Sequence, residues 1–189
     1  FVLETLALGA ALAFGQAQAA PISLAGSTVT GTYNGAGAGV TGLDHLFVAE
    51  AGSNTTAVVD NDLEFLTSDA VFAFDFSNSG LLTIYANDTL PAGAHNFTFD
   101  FGASLLAAIG SFSVVDPSGI TGAPVLTVLN SHAVSLSLTN VSFNEQFGAF
   151  TAQFGGAAAT AVPEPGSIAL LLAGATGFGL SRRKRARRA

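Results

Sequence analysis

His95-Asn96-Phe97-Thr98-Phe99-Asp100-Phe101 sets three phenylalanines on one side of an extended chain and Asn96, Thr98 and Asp100 on the other. Side chains alternate across a strand, so this pattern describes a β-strand with one buried and one wet face. Val71-Phe72-Ala73-Phe74-Asp75-Phe76 repeats it, with Phe72, Phe74 and Phe76 on the apolar side. Val134, Leu136 and Leu138 repeat it again, alternating with Ser135, Ser137 and Thr139. Turn-forming clusters such as Ser77-Asn78-Ser79-Gly80, Pro91-Ala92-Gly93 and Asp116-Pro117-Ser118-Gly119 lie between these runs.

The same pattern predicts strands over residues 27–33, 45–49, 55–59, 63–66, 71–76, 81–86, 94–101, 111–115, 125–129, 133–138, 142–144 and 149–154. Short strands at a spacing of about ten residues predict an all-β body, an antiparallel β-sandwich or jelly roll, over residues 20–156. Residues 103–110 read equally as a short helix or a buried strand. The Gly-rich stretch 34–42 reads as a loop, and 157–161 as a small-residue linker.

The 189 residues suit one domain with terminal signals. Sixteen Phe are ample for a core, and the absence of Cys excludes disulfides, thiol catalysis and thiolate metal sites. Only 10% of residues are charged, well below the roughly 25% of an ordinary soluble domain. All six Lys and Arg fall between Arg182 and Arg188, whereas the thirteen Asp and Glu lie before them.

Both ends read as targeting segments. Residues 2–14, VLETLALGAALAF, have the length of a signal-peptide apolar region, and Ala17 and Ala19 supply the small residues a signal peptidase inspects. Residues 1–19 are therefore expected to be a signal helix cleaved after Ala19, its basic start and initiator Met lying upstream of Phe1. At the other end, residues 166–181 are expected to form a single transmembrane helix. The fifteen apolar residues 166–180 span roughly 22 Å as a helix, short of the ~30 Å hydrocarbon core, which suits a temporary anchor. Arg182, Arg183, Lys184 and Arg185 form a membrane stop and mark the cytoplasmic side, leaving the body across the inner membrane. Ahead of the helix, Pro163 and Pro165 bracket Glu164 and disfavour helix there, giving the extended chain a processing enzyme requires. A nucleic-acid tail is not expected at the basic end, because it needs no apolar helix ahead of it and an acidic body repels phosphate.

Val162-Pro163-Glu164-Pro165, the apolar run and the arginine cluster together resemble the PEP-CTERM sorting signal of Gram-negative bacteria, over residues 162–188. The same kind of tail also carries the label "ice-binding protein C-terminal domain", which describes the tail and not the body. The resemblance implies an exosortase, a membrane transpeptidase, as partner. Pro163, Glu164 and Pro165 would be the residues recognised, and the product would pass to the cell surface or the exopolysaccharide matrix.

Within the body, Asp60, Asp62 and Glu64 place carboxylates at alternate positions and form a weak Ca²⁺ candidate, although Phe65 stands where an EF-hand loop needs Gly. An acidic turn is the plainer reading. No other cofactor is indicated. His45, His95 and His132 lack the spacing of metal ligands, and His95 falls on the phenylalanine face as a packed or edge residue. No nucleophile elbow is present. The expectation is an exported surface or matrix protein without catalytic activity. A carbohydrate- or ice-binding module is the alternative, hinted at by the alternating Thr28, Thr30 and Thr32, with a secreted hydrolase behind it.

Overall fold

Phe97 and Phe99 occupy the middle strand of one sheet and point into a second sheet that carries Phe72, Phe74 and Phe76. In the computed structural model, which describes residues 19–43 and 53–157, the strands are β1 (Thr28–Tyr33), β2 (Val40–Gly42), β3 (Thr55–Ala57), β4 (Phe65–Thr67), β5 (Phe72–Phe76), β6 (Leu81–Ala86), β7 (Asn96–Asp100), β8 (Ile109–Asp116), β9 (Ile120–Gly122), β10 (Val125–Asn130), β11 (Ala133–Ser137), β12 (Val141–Phe143) and β13 (Ala149–Gly156). One sheet has the order β10-β11-β7-β1-β3 and the other β2-β4-β5-β6-β13-β8; β9 and β12 form a separate ribbon. The pairings in both sheets are antiparallel. The all-β, antiparallel expectation for the body therefore holds.

The core is a stack of phenylalanines from facing strands. Ring centroids of Phe74 lie 4.7 Å from Phe97 and 5.1 Å from Phe99, and Phe76 lies 5.0 Å from Phe99. The rings meet tilted or edge-to-face, the arrangement their quadrupoles favour. Phe112 and Phe154 stack at 4.6 Å and close the far side. All these Phe residues are buried, as are Leu82, Ile84, Val134 and Leu136 from neighbouring strands.

Two strands lie where none was expected. The Gly-rich stretch contains a 3-10 turn at Gly37–Gly39 and then β2, whose Val40 is buried and whose residues pair with β4. β9 pairs with β12 directly after the Asp116–Gly119 turn. The ambiguous 103–110 segment divides: a 3-10 turn at Gly102–Ser104 turns Leu105 inward, Leu106 is 98% exposed, and β8 begins at the buried Ile109. The expected strand at 45–49, residues 1–18 of the signal helix, and the tail with its expected transmembrane helix lie outside the described residues.

The two ends of the described body meet. Ile22 donates its backbone N–H to Phe154 (3.1 Å), Gly156 donates to Ala20 (2.8 Å), and Pro21 bridges Gly155. The chain thus enters and leaves at the C-terminal end of β13.

Candidate functional site

The acidic cluster does not assemble as a ligand set. Glu64 opens the approach to β4 and turns its carboxylate inward, with the side chain only 2% exposed. Its Oε1 accepts the N–H of Val59 at 2.9 Å and its Oε2 the N–H of Phe76 at 2.6 Å, tying the β3–β4 connection to the end of β5. Asp60 is exposed and accepts the backbone N–H (2.6 Å) and the side-chain Nδ2 (2.8 Å) of Asn78. Among the described residues no group of three His, Cys, Asp or Glu side chains could hold a metal ion. The weak calcium candidate at Asp60, Asp62 and Glu64 gains no support from this geometry: Glu64 serves as a buried backbone clamp.

Burial dominates the titration of that clamp. It pushes the Glu64 carboxyl up to about 8, against the lowering effect of the two backbone N–H donors; the negative charge of Asp75 adds to the rise. Asp75 itself, half-buried on β5, is raised first by burial and then by Asp60 and Asp62.

His95 is a packed residue, as the phenylalanine face suggests. It is 4% exposed, and its ring lies parallel to Tyr33 at 6.0 Å and tilted against Phe72 at 5.2 Å. Nε2 sits 2.8 Å from the Pro91 carbonyl oxygen, which can only accept, so Nε2 carries the proton. Nδ1 then accepts from the Tyr33 hydroxyl at 2.6 Å. Both ring nitrogens are thereby used in holding the β6–β7 connection. Pattern reading found the face on which His95 lies; the Tyr33 partner, 62 residues away, had no local signal.

Thr28, Thr30 and Thr32 share the outward face of β1. Two of the three hydroxyls are engaged by neighbours: Thr30 with Thr55 at 2.8 Å, and Thr28 with Ser104 at 3.2 Å. The row reads in part as lateral support of the sheet.

Ala19 is half-buried beside Gly155, whereas Ala17, Pro163, Glu164, Pro165, Arg182, Arg183, Lys184 and Arg185 lie outside the described residues. Among the described residues no helix is long and apolar enough to cross a membrane. No curated protein and no solved structure matches the chain. The family model of the PEP-CTERM protein-sorting motif matches residues 161–187. The tail therefore carries this sorting motif, which implies export, transient membrane anchoring and processing by an exosortase.

Proposed function

We propose that this chain is a non-enzymatic β-sandwich, exported by its N-terminal segment and held in the inner membrane by its tail. An exosortase then cuts it near Pro163-Glu164-Pro165 and releases it to the cell surface or the exopolysaccharide matrix. The match of the sorting motif to residues 161–187 carries this reading. The apolar run and the basic cluster from Arg182 support it, because the cluster fixes the tail's cytoplasmic end and leaves the body outside.

The composition of the body agrees. Loss of Glu4 and Glu164 with the two terminal segments leaves eleven of the thirteen acids and no Lys or Arg. That charge favours solubility and keeps the released domain off anionic lipid. The absence of a catalytic role rests on the lack of any Cys and of paired or metal-spaced His.

Mass spectrometry of the secreted protein tests the sorting. New termini are expected at Ala20 and between Pro163 and Gly166. Replacing Pro163, Glu164 and Pro165 by Ala together should leave the protein in the membrane fraction with its arginines attached. Recovery of the chain from the cytoplasm with an intact C-terminus overturns the reading.

A further inference from the structure

The end of β13 opposite the body's entry and exit carries a cleft of about 460 Å³, within the size range of small-molecule sites. One wall comes from the β6–β7 connection, with Asp88, Thr89 and Leu90; the other comes from β12 and the turn after it, with Phe143, Glu145 and Gln146. We propose that this cleft binds a neutral saccharide.

Position comes first. β6 and β13 pair antiparallel, with Leu81 opposite Gln153 and Tyr85 opposite Ala149. The chain enters and leaves beyond Gln153, whereas both cleft walls lie beyond Tyr85 and Ala149. The eight residues of β13 span about 26 Å at strand rise, so the cleft lies at the opposite end of that strand from the meeting of Ile22 with Phe154.

Rigidity comes second. On one wall, Asn87 donates its N–H to Val71 (2.8 Å) and its Nδ2 to Ala70 (3.1 Å), while His95 holds Pro91. On the other wall, Gly148 donates to Glu145 (3.1 Å) and Ala86 donates to Gly148 (3.0 Å). Asn144 is pinned by Thr121 and by the Ser118 carbonyl. Both walls are thus built before any ligand arrives.

Chemistry decides the class. Leu90 and Phe143 are partly buried against the core and offer the cleft an apolar surface, suited to the C–H face of a sugar ring. Around them stand acceptors (the Asp88 carboxylate, which already takes the Thr89 N–H and hydroxyl, and the Glu145 carboxylate) and groups that also donate (Ser142, and Gln146, whose Nε2 lies 3.5 Å from the Asn87 carbonyl). A polyol presents donors and acceptors side by side and uses both kinds. A basic peptide uses only acceptors, and an anionic ligand meets two carboxylates with no cation among the lining residues. Beside Gln146, Phe147 is 67% exposed and held at φ 61°, a conformation a bulky residue rarely adopts. An aromatic ring kept in solvent next in sequence to a lining residue is a second surface on which a neighbouring sugar unit can stack.

Saccharide binding here is independent of how the tail is processed, so its failure and the failure of sorting show in different assays. The full chain in detergent micelles is titrated by calorimetry with neutral gluco-, manno- and galacto-oligosaccharides, with a uronic-acid oligosaccharide, and with a lysine oligopeptide. At least one neutral oligosaccharide is expected to bind. Glu145→Gln and Phe147→Ser, both at exposed positions, should each weaken it about tenfold, the loss expected for one charged hydrogen bond or one stacking contact. Unchanged circular dichroism would show that both variants remain folded. Absence of binding by every neutral oligosaccharide, binding unaffected by both variants, or binding of the lysine peptide or the uronate alone overturns the inference.

Discussion

Glu64 shows how one side chain sets a pH response. Its carboxyl sits under the β3–β4 connection and satisfies two buried N–H groups, which favour the charged form, while burial favours the neutral one and prevails. With the carboxyl raised from 4.5 to about 8, the folded protein binds a proton more tightly than the unfolded chain. The stabilisation from this group is complete below pH 4.5 and is lost as pH rises towards 8. The loss is on the order of 2–4 kcal/mol. Urea unfolding across that range should therefore show falling stability in the wild type and a flatter profile in Glu64→Gln. The variant starts lower, by about 1–3 kcal/mol, because its amide nitrogen faces one of the two backbone N–H groups. Parallel profiles would remove Glu64 as the source of the slope. Tyr33→Phe is a milder case. It takes the donor from His95 Nδ1 and leaves the ring stack intact, so about 1 kcal/mol of stability should go, as read by the urea midpoint.

At the scale of strands, the phenylalanine pairs set the energetics. Phe74 touches Phe97 and Phe99 across the two sheets, and its truncation leaves a cavity that facing strands cannot close. Phe74→Ala is expected to cost about 3–5 kcal/mol, whereas Leu106→Ala, at a 98% exposed site, should be near neutral. Equal midpoints for the two in urea would contradict this packing. The same pairs explain what was readable in advance. Period-two alternation located β5, β7 and β11 because each has one fully buried face. β2 and β9 were not readable, since glycines at 35, 37, 39 and 42 and at 119 and 122 make their sequence read as loop and turn, and their pairing with β4 and β12 is non-local. The acidic cluster was legible as residues and illegible as geometry. Alternation put Asp60, Asp62 and Glu64 on one side, but a turn with Asn61 at φ 65° precedes Glu64, whose carboxylate goes to backbone donors. The cleft was the least legible feature, because Asp88 and Glu145 meet only through the pairing of β6 with β13.

Across the whole molecule, charge of one sign sets the response to salt. No Lys or Arg precedes Arg182, so the carboxylates of the body have no Lys or Arg within it to balance them. Self-repulsion of that kind destabilises the compact state and is screened by added ions, whose Debye length falls from about 30 Å at 0.01 M to about 10 Å at 0.1 M. Asp75 lies at the centre of the repulsion. Its carboxyl is raised by burial and then by Asp60 and Asp62, and it adds to the rise that burial imposes on Glu64 and Tyr85. Raising NaCl from 0.01 M to 0.3 M at pH 8 should therefore lift Tm by about 3–5 °C, as relief of roughly 1 kcal/mol does in a domain of this size. Asp75→Asn removes the charge at the centre and should raise Tm at low salt while reducing the gain from added salt. At pH 4.5 most exposed carboxylates lose part of their charge, and the salt effect should shrink in both proteins. A Tm that stays flat or falls with NaCl at pH 8, or an Asp75→Asn variant that keeps the full wild-type salt gain, would mean that packing alone sets the stability of this acidic all-β body.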